Sequence, residues 1–141
     1  MSLDIPKSWH PRDRKEDGHS LFLATDENGK AGVQMLTIQN EVPIESREEM
    51  DRQVRGWFSI ARSNGSRSAT IQRKKMENGS LYFCADAIKP SEAHSPWCWR
   101  WTGLYASPKW WLWITVDCSK TDSIVISQAI ETCEAFDKDM Q

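Results

Sequence analysis

The chain has 141 residues, enough for one domain with a buried core of its own. Its 18 basic and 20 acidic residues give a formal net charge of −2. This balance excludes the strongly basic proteins that bind nucleic acids or anionic membranes, because those partners need concentrated positive charge. No apolar run approaches the roughly 20 residues of a membrane-spanning helix. We expect a cytoplasmic monomer or weak dimer, with a removed leader left open as an alternative.

The N-terminal segment, residues 1–17, is polar and interrupted by proline. It predicts a lead-in to a single α+β domain formed by residues 18–141. Among the large apolar side chains of this lead-in are Ile5 and Trp9, and we expect both to pack against the domain.

A first hairpin is predicted around Asn28-Gly29, because both residues tolerate the positive φ angles of a tight two-residue turn. This turn pairs Glu27 with Lys30. The two strands are residues 20–25 and 31–38. Apolar residues then fall on both faces of the hairpin, so we expect the sheet to be covered on both sides.

The first helix is predicted after Pro43, with Ser46 as its N-cap and Glu49 completing a capping box. Asn64-Gly65 supplies the C-terminal stop. One apolar stripe recurs at helical spacing. Its members are Met50, Val54, Trp57, Phe58 and Ala61.

A second Asn-Gly turn, Asn78-Gly79, predicts a hairpin between residues 69–76 and 81–88. The first of these strands is rich in arginine and lysine, which is typical of an edge strand protected by charge. A final helix is predicted to begin at Thr121 or Ser123. Its apolar stripe is Ile126, Ala129, Ile130, Cys133 and Phe136. The acidic tail at 137–139 is expected to fray.

Between these elements, residues 96–118 hold six of the chain's eight tryptophans. They predict a hairpin that turns at residues 106–109, since each arm alternates with period two. Pairing Ala106 with Lys109 places Trp101 opposite Ile114 and forms a core face. The reverse face then carries Arg100, Leu104, Trp111 and Trp113. A three-residue turn would shift the register by one and exchange the faces.

This reverse face is the candidate binding site. Indole combines a large apolar area with an N–H donor, and tryptophan and arginine are enriched where proteins bind one another. An apolar peptide, a helix or another protein surface is the expected partner. The competing interpretation is that the first helix covers Trp111 and Trp113 as ordinary core residues.

Catalytic, metal and cofactor sites are not predicted. The sequence has no G-x-S-x-G, phosphate-binding glycine loop or H-E-x-x-H motif. His94 and Cys98 are two potential metal ligands without a second pair. The cysteines are expected to be reduced thiols, although a disulfide between Cys98 and Cys118 is conceivable across the hairpin.

The element order β-β-α-β-β-β-β-α predicts an α+β fold, with two amphipathic helices on an antiparallel sheet of about six strands. Together with the segment Ile5-Pro6-Lys7-Ser8-Trp9, it resembles the PsbP/DcrB-like α-β-α sandwich group. That group includes photosystem extrinsic proteins, Ran-binding Mog proteins, bacterial DcrB lipoproteins and Eag-type secretion chaperones. The resemblance implies a binding or chaperone-like role without catalysis.

A START-like or steroid-isomerase-like domain is the alternative function. Such a domain would bind a small hydrophobic ligand in a cavity between the sheet and the C-terminal helix. A deep apolar cavity at that place would favour it.

Overall fold

The computed structural model describes the backbone of most of the chain. The described residues are 5–7, 9–16, 19–25, 31–61, 70–87, 99–118 and 123–140. The predicted turns at 28–29 and 64–65 lie outside these ranges, as do Thr121, His94 and Cys98.

The described part of the chain forms strands and two helices in an α+β arrangement, which confirms the predicted class. In chain order they are β1 (His10–Glu16), β2 (His19–Thr25), β3 (Ala31–Gln39), α1 (Arg47–Ala61), β4 (Gln72–Lys75), β5 (Ser80–Ala87), β6 (Trp99–Ala106), β7 (Trp110–Cys118) and α2 (Ser123–Lys138). Side chains are described in the five strands β3–β7 and in both helices. Neither helix is long and apolar enough to cross a membrane.

All neighbouring strands are antiparallel, in the order β1-β2-β3-β7-β6-β5-β4. The sheet has one strand more than the sequence predicted, because residues 10–16 of the predicted lead-in pair with β2 as an edge strand. The β2–β3 register matches the prediction, with Phe22 opposite Met35. Trp9 is buried and its indole N–H donates to Gln128 Oε1 of α2 over 2.9 Å, so its predicted packing is confirmed.

The register of the β6–β7 hairpin differs from its prediction by two residues. In the β6–β7 hairpin the Ser107 N–H donates to the Trp110 carbonyl over 2.9 Å, and Trp101 lies opposite Val116. Because side chains alternate with period two, this shift preserves both predicted faces. In the β4–β5 hairpin the Met76 N–H donates to the Gly79 carbonyl over 2.9 Å, so Gly79 flanks the turn.

Gly79 is required there by close packing. A Cβ atom at this position would meet the Ala106 carbonyl and lie 2.7 Å from the Tyr105 hydroxyl. The Asn-Gly pair therefore marks a hairpin correctly, but its glycine accommodates β6 instead of forming the centre of the turn.

The helices lie on opposite faces of the sheet. Beneath α2, the fully buried side chains include Leu112, Ile114, Ala129 and Cys133. Beneath α1 lies a second cluster, formed by Val54, Phe58, Tyr82, Cys84, Leu104, Ala106 and Trp111. Ser46 caps α1 as predicted, accepting the Glu49 N–H at 3.3 Å.

The predicted fraying of the C-terminal tail is wrong at its first residue. Asp137 is buried at the end of α2 and accepts hydrogen bonds from Tyr105 and from the backbone of Glu77 and Asn78. Asp139 is exposed. The burial of Asp137 depends on partners about 30 and 60 residues away in sequence, which the local pattern of acidic residues does not reveal.

Candidate functional site

Three of the four predicted site residues lie together on the sheet face beneath α1. Leu104 of β6 lies opposite Trp113 of β7, and Trp111 lies two residues nearer the turn, opposite Ala106. We call Leu104, Trp111 and Trp113 the aromatic face. Arg100 lies on the same side of the sheet, four residues from Leu104 toward the open end of the hairpin.

Helix α1 covers the aromatic face. Leu104 is fully buried and Trp111 is only 7% exposed. The Trp57 ring of α1 meets the Trp113 ring edge to face, with centroids 5.3 Å apart. In this conformation the aromatic face is therefore closed, as in the competing interpretation drawn from the sequence.

The two tryptophans of the aromatic face lack hydrogen-bond partners. Trp111 Nε1 and Trp113 Nε1 are both buried, and neither has an acceptor among the described residues. A buried donor without an acceptor costs about 1–3 kcal/mol, and most native structures avoid it. The carbonyl groups in the body of α1 are already used by the helix, so the cover supplies apolar contact without acceptors.

Arg100 is held by a carboxylate at the margin of this face. Its Nε and Nη2 atoms donate to the two oxygens of Asp117, over 2.7 and 3.0 Å. The Arg100 side chain is 41% exposed and that of Asp117 15%. The pair lies across the β6–β7 hairpin and orients the guanidinium at the end of the hairpin opposite its turn.

A buried polar row, which the sequence did not reveal, separates Arg100 from the aromatic face. It contains Cys84, Thr102 and Thr115, with Asp86 beside it. The Cys84 thiol donates to Asp86 Oδ2 over 3.5 Å. Its only sequence signal is the period-two spacing of Tyr82, Cys84 and Asp86, which places all three on the α1 side.

A cavity of about 200 Å³ opens beside the aromatic face. It lies between the start of α1 and the β4–β5 hairpin. Its lining includes Met50, Tyr82 and Ala106, which also belong to the cluster beneath α1. A wider groove of about 540 Å³ lies by the β6–β7 turn, against Trp110 and Met140. None of the three residues of the aromatic face lines the first cavity, which comes nearest to that face at Ala106, the residue paired with Trp111.

Tyr82 and Cys133, which belong to the two buried clusters beneath the helices, have raised pKa values. Burial raises the pKa of Tyr82, and the nearby Asp51 carboxylate raises it further. Burial likewise raises the pKa of the Cys133 thiol, which keeps it protonated and a poor nucleophile. Among the described residues no group of three metal-ligating side chains converges. Cys118 is buried, and Cys98 lies outside the described residues, so the conceivable disulfide between them stays a prediction.

No protein-family model, curated protein or solved structure gives a significant match to the chain. The likeness to the PsbP/DcrB-like group therefore stays a prediction. What the structure itself defines is an α+β protein in which an amphipathic helix covers an aromatic sheet face.

Proposed function

We propose that this protein binds an apolar segment of another protein through the aromatic face, without catalysing a reaction. The observation that carries the proposal is the pair of buried indole donors, Trp111 Nε1 and Trp113 Nε1, that lack acceptors among the described residues. A partner with hydrogen-bond acceptors and apolar side chains would pair with the N–H group of each indole and also cover its apolar ring.

The surroundings of the aromatic face support this role. The cavity beside it is lined by apolar Ile44, Met50 and Pro108 and by five charged side chains: Glu45, Arg47, Arg73, Lys75 and Glu77. A peptide with apolar side chains and polar backbone groups suits a concave site of this mixed character. The Arg100–Asp117 pair would contribute a polar margin, as at the rim of protein interfaces.

The space between the sheet and α2 gives the alternative function no comparable support. Leu112, Ile114, Ala129 and Cys133 are fully buried there and pack against one another. The two described cavities lie elsewhere: the first has no residue of α2 in its lining, and the second has only Asp139 and Met140, beyond the end of that helix. We therefore prefer the protein-binding function to a START-like or steroid-isomerase-like cavity.

The proposal is tested with two capped synthetic peptides of equal hydropathy. One is rich in valine and threonine and extended, and the other is a helix stabilised by α-aminoisobutyric acid. Titration calorimetry measures their affinity for the wild-type protein and for the double variant Trp111→Phe with Trp113→Phe. We expect at least one peptide to bind, and the double variant to bind it at least about tenfold more weakly, the equivalent of one lost hydrogen bond of 1.4 kcal/mol.

The matched control is Trp110→Phe. Trp110 lies on the same strand but on the opposite side of the sheet, where it packs with the cluster beneath α2. The Trp110→Phe variant should bind the peptides with the same affinity as the wild type. Binding of neither peptide, or equal binding by the double variant and the wild type, would refute the proposed function. Thermal unfolding of each variant verifies that it is folded.

A further inference from the structure

We infer that α1 is a detachable cover and that the ligand which replaces it is an extended apolar segment, whose free backbone carbonyls accept hydrogen bonds from Trp111 and Trp113. This inference rests on the proposed function and names the class of ligand. It also assigns α1 a regulatory role, since binding then competes with the closed conformation described above.

The first argument is the composition of α1. Gly56 lies in the middle of this helix, and a Cβ atom added there would meet no atom within 4 Å. Neither packing nor an unusual backbone angle requires glycine at this position. Glycine inside a helix lowers the helical population about two- to fivefold relative to alanine. Glycine at position 56 therefore lowers the stability of α1 without providing any contact that alanine would prevent.

The second argument is the pairing of charges on α1. Arg52 forms an ion pair with Glu49, and Arg55 forms one with Asp51 over 2.9 Å. Both pairs join residues of the same helix. Neither pair joins α1 to the sheet, and all four side chains are at least 40% exposed, so water can replace each partner when α1 detaches and unfolds. Asp51 then also loses the hydrogen bond that it accepts from the Tyr82 hydroxyl of β5 over 3.3 Å.

The third argument is the closed state of the aromatic face. Two indole donors lack acceptors beneath α1, so the contact between helix and sheet is incomplete. Trp111 is more than nine-tenths buried, which keeps water from its donor. A ligand with suitable acceptors gains hydrogen bonds that α1 does not make.

The spacing of the two donors selects the form of the ligand. Trp111 and Trp113 are two residues apart on one strand, which separates their Cα atoms by about 6.8 Å. An extended chain repeats its carbonyl groups on one side at the same interval. A helical ligand uses its carbonyls internally and would leave the indole donors unpaired, as α1 does.

The experiment compares wild type with Gly56→Ala, using the extended and the helical peptide described above. Alanine strengthens the cover without touching the aromatic face. We expect the extended peptide to bind Gly56→Ala about two- to fivefold more weakly, because the open state is less populated. Saturating extended peptide should also speed amide hydrogen exchange throughout α1, while α2 stays protected.

Separate outcomes distinguish the two proposals. If the extended peptide binds and needs both tryptophans, but Gly56→Ala binds equally and α1 stays protected, the detachable cover is refuted and the proposed function stands. If the helical peptide binds more tightly, the assigned ligand class is refuted. If neither peptide binds, the proposed function fails, and this inference fails with it.

Discussion

Tyr105 donates its phenolic O–H to Oδ1 of Asp137 over 2.5 Å, joining the sheet to the last turn of α2. The same carboxylate accepts the backbone N–H groups of Glu77 and Asn78, over 3.0 and 2.8 Å. We call these four residues the Asp137 clasp. A carboxylate at the C-terminal end of a helix faces the negative end of the helix dipole, so the three donors offset an unfavourable position.

Replacing Asp137 by alanine should lower the free energy of unfolding by at least about 2 kcal/mol. The change leaves one hydroxyl and two backbone donors without their acceptor, and each buried unpaired group costs about 1–3 kcal/mol. Urea denaturation followed by circular dichroism measures the loss. Asp139→Ala is the matched control, because Asp139 is exposed and two residues further along. If Asp137→Ala lowers the free energy of unfolding no more than Asp139→Ala does, the clasp does not stabilise the fold.

The clasp also predicts how stability changes in alkali. Burial raises the pKa of Tyr105 well above its usual value, and the hydrogen bond and charge of Asp137 raise it further. The folded state therefore retains a proton that the unfolded chain releases near pH 10. The stabilising contribution is complete below about pH 10 and is lost as the pH rises toward the folded-state pKa.

Tyr105→Phe tests this dependence. The variant should be less stable at neutral pH, because it lacks the bond to Asp137. Its free energy of unfolding should then fall less steeply than that of the wild type above about pH 10. Unfolding curves measured from neutral to alkaline pH give both slopes. Parallel slopes would contradict the assignment to Tyr105, since Tyr82 and Cys133 contribute equally to both proteins.

The sequence was most informative where one local period determines the structure. Alternation correctly placed Leu104, Trp111 and Trp113 on one face, even though the predicted hairpin register was two residues off. Helical spacing likewise identified the buried positions Val54 and Phe58. Such patterns record which side of an element a residue occupies.

These local patterns could not predict contacts between residues that are far apart in the sequence. Whether the aromatic face is open depends on where α1 lies, and α1 is separated from β7 by three strands in sequence. Asp137 looked like a solvated tail residue because its partners are in β6 and the β4–β5 turn. The strand at 10–16 reads as polar, since an edge strand needs little apolar character to pair its backbone.

The packing of α1 predicts a contrast between two nearby positions. Phe58 is fully buried, and its ring lies edge to face with that of Trp57 at 5.0 Å. Ile60, two residues along the helix, is 77% exposed. Phe58→Ala should cost about 3–5 kcal/mol of unfolding free energy, whereas Ile60→Ala should change it by less than about 0.5 kcal/mol. A similar loss for both variants would mean that the helix faces the sheet differently.

Replacing Gly103 of β6 by alanine should change the stability of the fold in the opposite direction to the same replacement at Gly56. A Cβ atom at Gly103 would collide with the indole of Trp101 and lie 2.7 Å from its Cζ3. The indole is fixed by stacking on Phe83, with centroids 6.1 Å apart. Gly103→Ala should therefore destabilise the fold by about 1–3 kcal/mol, as overpacking does, whereas Gly56→Ala should stabilise it by about 0.5–1 kcal/mol.

A second substitution identifies the cause of the loss at Gly103. If the collision with Trp101 is responsible, Trp101→Leu should cost less in the Gly103→Ala protein than in the wild type, since leucine leaves room for the new methyl group. Chemical denaturation of the four proteins of this cycle gives the coupling energy, which should lie between about 0.5 and 3 kcal/mol. Strictly additive losses would instead attribute the effect of Gly103→Ala to the backbone of β6.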